Sequence, residues 1–267
     1  MPDDRYTAGK RSLNRLAGRS VLVTGASRGY GAAIAVRAAS EGARVAVHYN
    51  RTREGAEETA RRIGEMGGES IIVQADIKSW DDIRAMTETV FDAFDGLDVL
   101  INNVGDVASE QMSWRDLDEA VIDRVLAVDI KGTMLMIHES GTRMLEQGHG
   151  VIVNVTSTVV VRGSPRAPQY AAGKYGAIGL TKSYARAFAP TVRVNALGPG
   201  FIETESTLAR DDWQSGRREQ LLAMTPMQHI PSPDEITGPV MFLASDDSVH
   251  MTGNYVIADG GYSMVGA

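Results

Sequence analysis

The chain contains no cysteine at all. Disulfide bridges, thiolate nucleophiles and cysteine-held metal clusters are excluded before any motif is read. Histidine is scarce as well. The five histidines, at positions 48, 138, 149, 229 and 250, show no metal-ligand spacing, so no metal site is expected. Long apolar runs are also missing: no stretch approaches the roughly 18 residues that a membrane-crossing helix needs. Positions 1–18 mix Asp, Arg, Lys and Asn without an apolar segment, which reads as a loose N-terminal tail over 1–15 and a cytoplasmic protein. Positive charge is in deficit, with 27 Lys and Arg against 34 Asp and Glu and a net charge of -7. That balance argues against nucleic acid or an anionic membrane as the main partner and leaves a small molecule as the expected one.

What the chain does have is a regular alternation. Short β-branched runs at 20–24, 44–49, 70–74, 99–102, 151–156, 192–196 and 255–258 read as strands, several of them continuously apolar, as strands buried on both faces are. Helical patterns at 30–40, 54–66, 80–94, a long region 116–145, 169–187 and 234–243 lie between them. Repeated βα units of this length predict a doubly wound, Rossmann-type α/β fold of about seven parallel strands, one domain over 16–267. Such a sheet binds its ligand beyond the carboxyl ends of the strands, where strand order reverses.

Two motifs fall at that predicted edge. The segment Thr24-Gly25-Ala26-Ser27-Arg28-Gly29-Tyr30-Gly31 follows an apolar strand and precedes a helix, the context of a phosphate-cradling dinucleotide turn. Glycine at 25 permits a turn closed to other residues, and glycines at 29 and 31 let a pyrophosphate and the next helix approach the backbone. Farther along, Tyr170 and Lys174 lie four apart in a helical pattern and so share one face. A free tyrosine titrates at about 10, and a neighbouring ammonium favours its phenolate, which makes the phenol a usable acid at neutral pH. Ser157, at the end of the fifth strand, is placed to hydrogen-bond a substrate oxygen, although Thr156 and Thr158 are neighbouring hydroxyls.

With these motifs in hand, the chain resembles the short-chain dehydrogenase/reductase family in its compact form. Further landmarks match in order: Ala75-Asp76, Asn102-Asn103-Val104-Gly105, Ser157, the Tyr170/Lys174 pair, Gly198-Pro199-Gly200 and Asp259-Gly260-Gly261. The resemblance implies a catalytic set of Ser157, Tyr170 and Lys174, with the family's serine-to-tyrosine spacing selecting Ser157. It implies nucleotide contacts from Gly25, Ser27, Arg28, Gly29, Tyr30 and Gly31. Asp76 and Ile77 would border the adenine, and Asn103, Val104 and Gly105 the middle of the cofactor. Pro199, Gly200, Ile202 and Thr204 would lie near the carboxamide, while Tyr170 and Lys174 would touch the cofactor too. The family's fourth catalytic residue is an Asn, and here Asp129 stands in its place. A carboxylate there stabilises the Lys174 ammonium and weakens its field at Tyr170, so a retuned pH dependence is expected.

Cofactor choice turns on the end of the second strand, where NAD-binding relatives carry an acidic residue for the ribose. Here the segment reads His48-Tyr49-Asn50-Arg51. Arg51 with Asn50, and Arg28 from the glycine turn, offer donors to a 2′-phosphate instead, favouring NADP(H) over NAD(H). The segment 201–233 is expected to form a substrate lid, with Trp213, Leu221, Leu222, Met224, Met227 and Ile230 lining it or packing as core. Arg162 and Arg166 are read as solvated loop residues or as partners of an anionic substrate group. The expected protein is therefore a carbonyl reductase similar to 3-oxoacyl reductases, a homo-oligomer (tetramer or dimer). The alternatives are an NAD-dependent alcohol dehydrogenase working oxidatively and a dinucleotide sensor without turnover.

Overall fold

The computed structural model describes residues 14–106 and 112–264. Seven strands form one parallel sheet: β1 Ser20–Val23, β2 Arg44–Tyr49, β3 Ser70–Gln74, β4 Val99–Asn102, β5 Gly150–Val155, β6 Val192–Pro199 and β7 Tyr255–Ala258. Their order is β3-β2-β1-β4-β5-β6-β7, so the winding reverses between β1 and β4. This is the doubly wound α/β architecture that the βα alternation predicts.

Side chains alternate through the sheet. Val21 and Val23 join Val45 and Val47 on one face, beneath α1 (Gly29–Ser40) and α2 (Arg53–Glu65); Leu22 and Ala46 join Leu100 and Ile152 on the other. The second face is covered by α3 (Trp80–Phe94), α5 (Thr133–Gln147) and α7 (Pro168–Phe188), and two further short helices are α6 (Val159–Arg162) and α9 (Arg218–Met224). Both faces being covered explains why β1 and β4 are apolar almost without interruption.

Two helical expectations are corrected. The single long region over 116–145 resolves into a short 3₁₀ turn (Trp114–Asp116), α4 (Glu119–Val125), a π-helical turn (Leu126–Gly132) and α5. Asp118 starts α4 by accepting the Val121 N–H, and a cap inside the region breaks it there. The helix expected over 234–243 begins later, as α10 (Gly238–Ala244). Glu235 turns back to accept from the Ser232 N–H and hydroxyl, and Pro239 is suited only to the first turn of the helix that follows.

At the amino ends of the strands, ionic contacts close the fold. Of the tail expected over 1–15, only Asn14 and Arg15 fall within the described residues, and Arg15 is ion-paired to the buried Glu41 at 2.7 Å. Asp98 accepts from Arg19 through Oδ1 and from the Ser20 backbone through Oδ2, and His149 Nε2 lies 3.0 Å from the same Oδ1. No helix among the described residues is long and apolar enough to cross a membrane.

Candidate active site

The glycine turn is held open by a network that no short motif announces. Gly25 and Gly29 have φ of 66° and 57°, the left-handed region where glycine carries no steric cost. The Gly25 N–H donates to His48 Nδ1 at 2.9 Å, so the proton of that ring sits on Nε2, which donates to the Ala75 carbonyl at 3.1 Å. Burial keeps His48 neutral by pushing its pKa down to about 4. It thereby ties the turn to the ends of β2 and β3. Just after β4, Asn103 donates its backbone N–H to Thr24 Oγ1 and its side-chain amide to the carbonyls of Thr24 and Gly25. Gly31 lies against the Gly25 carbonyl and the Asn103 amide, where a Cβ would collide with both.

Above this turn the first residues of α1 have no side-chain cap and no acidic residue in their turn. A twelve-residue helix whose first N–H groups are left to an outside acceptor fits the diphosphate of a dinucleotide. Arg28 and Arg51 are exposed and, among the described residues, neither is ion-paired. The Asn50 carbonyl is taken by Gln74. The Tyr30 ring is buried in the core and its hydroxyl donates to the Ile236 carbonyl, which leaves its backbone to face the turn. Asp76 is held at the end of β3 through the Lys78 N–H, and Ile77 packs against Gly132. Thr204 caps the short helix α8 (Glu205–Leu208), with its methyl close to Gly29, so the segment after β6 reaches back over the glycine turn. Ile202 packs on the core, and Gly200 lies too close to Asp259 to accept a Cβ.

On the other side of the crevice α7 opens with Pro168 at its first turn and carries Tyr170 and Lys174 one turn apart, both buried. Lys174 Nζ lies 5.6 Å from the centroid of the Tyr170 ring. Asp129 comes from the π-helical turn, and its side chain is 1% exposed, with Oδ1 at 3.9 Å from Lys174 Nζ. The same oxygen accepts the Asp106 N–H at 2.9 Å, while Oδ2 is buried without a hydrogen-bond partner among the described residues. Burial pushes this carboxyl above its ordinary value; Lys174 and the Asp106 N–H oppose the rise, and the Asp106 charge adds to it. Two glycines make the space. A Cβ at Gly105 would run into Lys174 Nζ, and one at Gly173 would sit 2.7 Å from Asp129 Oδ2.

Of the three hydroxyls after β5, Thr156 and Thr158 are buried and Thr156 is spent on the Leu197 carbonyl. Ser157 alone is partly accessible, accepting the Val159 N–H through Oγ, while Tyr255 anchors its carbonyl. A buried chain from Asn102 to Asn154 to Thr181 binds β4, β5 and α7 into one frame beneath these groups.

The segment 201–233 forms a separate small cluster in which Trp213, Leu221 and Ile230 are buried against Phe201, Leu222 and Tyr262, whereas Met224 and Met227 are exposed. Arg162 and Arg166 prove to be engaged. Arg162 stacks over Tyr262, 4.6 Å from its centroid, and Arg166 reaches Asp212 at 3.3 Å, beside Arg210 at 2.9 Å and Arg217 at 3.6 Å.

Comparison with known proteins places this geometry. A family described as enoyl-(acyl carrier protein) reductase matches residues 25–263. The 3-oxoacyl-(acyl-carrier-protein) reductase of Staphylococcus aureus is 38% identical over 247 residues, covering 92% of this chain and 98% of that one. The enzyme of the same name from Synechocystis is 35% identical over 257 residues, 94% and 100% of the two chains. Among solved structures, one described as a short-chain alcohol dehydrogenase from Sinorhizobium meliloti superposes with a TM-score of 0.87 at 34% identity, over 94% and 98% of the chains. The reductase LugOII, which catalyses keto-reduction at C1 in lugdunomycin biosynthesis, superposes with 0.85 at 28% identity over 93% and 99%. Seven parallel strands, a glycine turn at the point of reversal and a buried Tyr/Lys pair across from it mark the chain as a member of the short-chain dehydrogenase/reductase family, similar to 3-oxoacyl-(acyl-carrier-protein) reductases.

Proposed function

We propose that the protein is an NADP(H)-dependent reductase that converts a ketone of a small-molecule substrate to a secondary alcohol. One observation carries this reading: a tyrosine and a lysine buried one helical turn apart, the lysine reaching Gly105 just after β4, in a fold whose accessible hydroxyl after β5 is Ser157. The cofactor, when bound, supplies hydride to the carbonyl carbon. This chain's residues do the rest. Ser157 would hold the substrate oxygen by a hydrogen bond, and Tyr170 would deliver its phenolic proton to that oxygen as negative charge develops. Lys174 lowers the cost of the phenolate left behind. The glycine turn and the uncapped start of α1 would hold the diphosphate, with Asn103, Gly105, Ile202 and Thr204 along the rest of the nucleotide. Arg28 and Arg51, exposed and without ion-pair partners among the described residues, would meet a 2′-phosphate. A cytoplasmic location and a homo-oligomer, tetramer or dimer, belong to the same proposal.

The test pairs binding with turnover. NADPH binding is measured by fluorescence, and its oxidation is then followed by absorbance across a panel of ketones. The expected result is turnover with kcat/KM for NADPH at least about 10-fold above NADH, falling toward parity in Arg51→Ala, since a charge-assisted contact is worth roughly 1.5–3 kcal/mol. A parent enzyme that prefers NADH overturns the cofactor assignment. Tight binding without turnover of any carbonyl overturns the reductase.

A further inference from the structure

Asp129 is the one charged side chain of the catalytic set whose presence simple packing does not explain. It sits 1% exposed in a π-helical turn, inside a pocket left by Gly105 and Gly173, with one oxygen unpartnered. Turns of this kind concentrate at functional positions, and a buried carboxylate with an unmade hydrogen bond is costly. Among the described residues, the charged groups acting on it are Lys174 from α7 and Asp106 from the loop after β4, the latter ion-paired to Arg124 of α4 at 2.7 Å. Lys131, its near neighbour in the same turn, reaches the Lys78 carbonyl instead.

We propose that Asp129 is a positioning residue that holds Tyr170 in its neutral, proton-bearing form through Lys174, and so sets the enzyme to reduce ketones across the neutral range. This rests on the reading of Tyr170 as the acid. A lone ammonium pulls the neighbouring phenol toward phenolate. At 3.9 Å the carboxylate cancels part of that pull and adds its own negative field, and both effects keep the proton on the phenol to higher pH. A neutral Asn in the same place would leave the ammonium unopposed. Reduction uses the phenol and oxidation uses the phenolate, so Asp129 leaves the equilibrium between ketone and alcohol untouched and decides which form of the acid is populated at a given pH. The effect is present only while Asp129 is ionised. At acid pH, where its raised pKa lets it take up a proton, the aspartate and asparagine enzymes converge.

Two measurements test this. Tyrosine ionisation is titrated by ultraviolet difference absorbance in the parent minus Tyr170→Phe and in Asp129→Asn minus Asp129→Asn/Tyr170→Phe, which isolates Tyr170 without any substrate. The expected midpoint is at least about one pH unit lower in the Asn background. Equal midpoints, or a higher one, overturn the proposal. Should Asp129→Asn fold poorly, Asp129→Ser removes the same charge and is read the same way. In parallel, pH–rate profiles are taken with ethyl acetoacetate and NADPH, and with ethyl 3-hydroxybutyrate and NADP. Both tyrosine-controlled limbs should move downward together in Asp129→Asn, and for ketone reduction the two enzymes should agree at the acid end. A uniform loss of rate at every pH with unmoved limbs marks a structural role and overturns the proposal. Failure to reduce any ketone counts against the reductase reading alone, because the tyrosine midpoints are still read directly.

Discussion

Two carboxylates are shut off from solvent at opposite ends of the sheet, and they have opposite characters. Glu41, after α1 at the amino ends, is completely enclosed, yet it accepts from Arg37 Nη2 and Nε at 2.7 and 2.9 Å, from Arg15 Nη2 at 2.7 Å and from the Arg15 N–H at 3.2 Å. Burial pushes its pKa up, but the arginine hydrogen bonds outweigh that and hold it down at about 2. Asp129, at the carboxyl ends, has one lysine at 3.9 Å, one backbone donor and one bare oxygen, and its pKa goes up. Loss of solvent contact alone therefore says little about a charge. The donor set separates a carboxylate that fastens the fold from one kept at a cost beside the Tyr170/Lys174 pair.

If that division is right, changes at the carboxyl end should strike turnover and spare stability, and changes at the amino end the reverse. The largest effect is expected from Tyr170→Phe: ketone reduction should fall by about 10³-fold or more with NADPH binding and thermal midpoint nearly unchanged. A variant that still turns over at a tenth of the parent rate would remove Tyr170 from the chemistry. Next comes Gly105→Ala, whose new methyl must displace Lys174; a loss of about 10²-fold in kcat is expected, measured against an unchanged thermal midpoint. Glu41→Gln should do the opposite. It leaves two arginines facing a neutral amide, which costs about 3 kcal/mol of stability at pH 7 in urea unfolding and spares kcat.

The pH dependence of that loss has a definite sign. Because the folded pKa of Glu41 lies below its unfolded value, its contribution is complete above about pH 4.5 and disappears as pH falls through about 2. The gap between parent and Glu41→Gln should accordingly shrink on acidification; a gap that widens toward acid pH would contradict the assignment. The smallest effect belongs to the exposed partner at the same end. His149→Ala, next to Asp98, should change stability by less than about 1 kcal/mol and lose even that in high salt.

Much of this division could be read from the chain, residue by residue. The apolar runs marked the strands within a few positions because both faces of a parallel sheet are covered, and Val21-Leu22-Val23 has no polar side to show. Gly25 and Gly29 were legible because a left-handed turn after a strand leaves few residue types to choose from. The i, i+4 spacing of Tyr170 and Lys174 placed them on one face. His48 was not legible as part of the site. It is a lone polar residue in an apolar strand, and its partners, Gly25 and Ala75, lie 23 and 27 positions away. The direction of the Tyr30 ring was not legible either: the motif places the residue at the turn, and only the fold shows its side chain pointing into the core. The π-helical turn stayed hidden in a long helical pattern, since one extra residue per turn barely disturbs apolar periodicity. Arg166 and Asp212, 46 positions apart, met only because the segment 201–233 folds against the loop before α7.

By itself the amino-acid sequence determined the kind of sheet, the place of its glycine turn and the residue types able to move a proton, because these follow from local periodicity, backbone freedom and spacing along one helix. Tertiary structure alone decided which hydroxyl after β5 stays accessible, which histidine locks the turn, and whether a buried carboxylate is satisfied by arginines or left partly bare beside Lys174. Those outcomes depend on donors brought from distant parts of the chain, and the energy of a buried charge is set by the groups around it rather than by its neighbours in sequence.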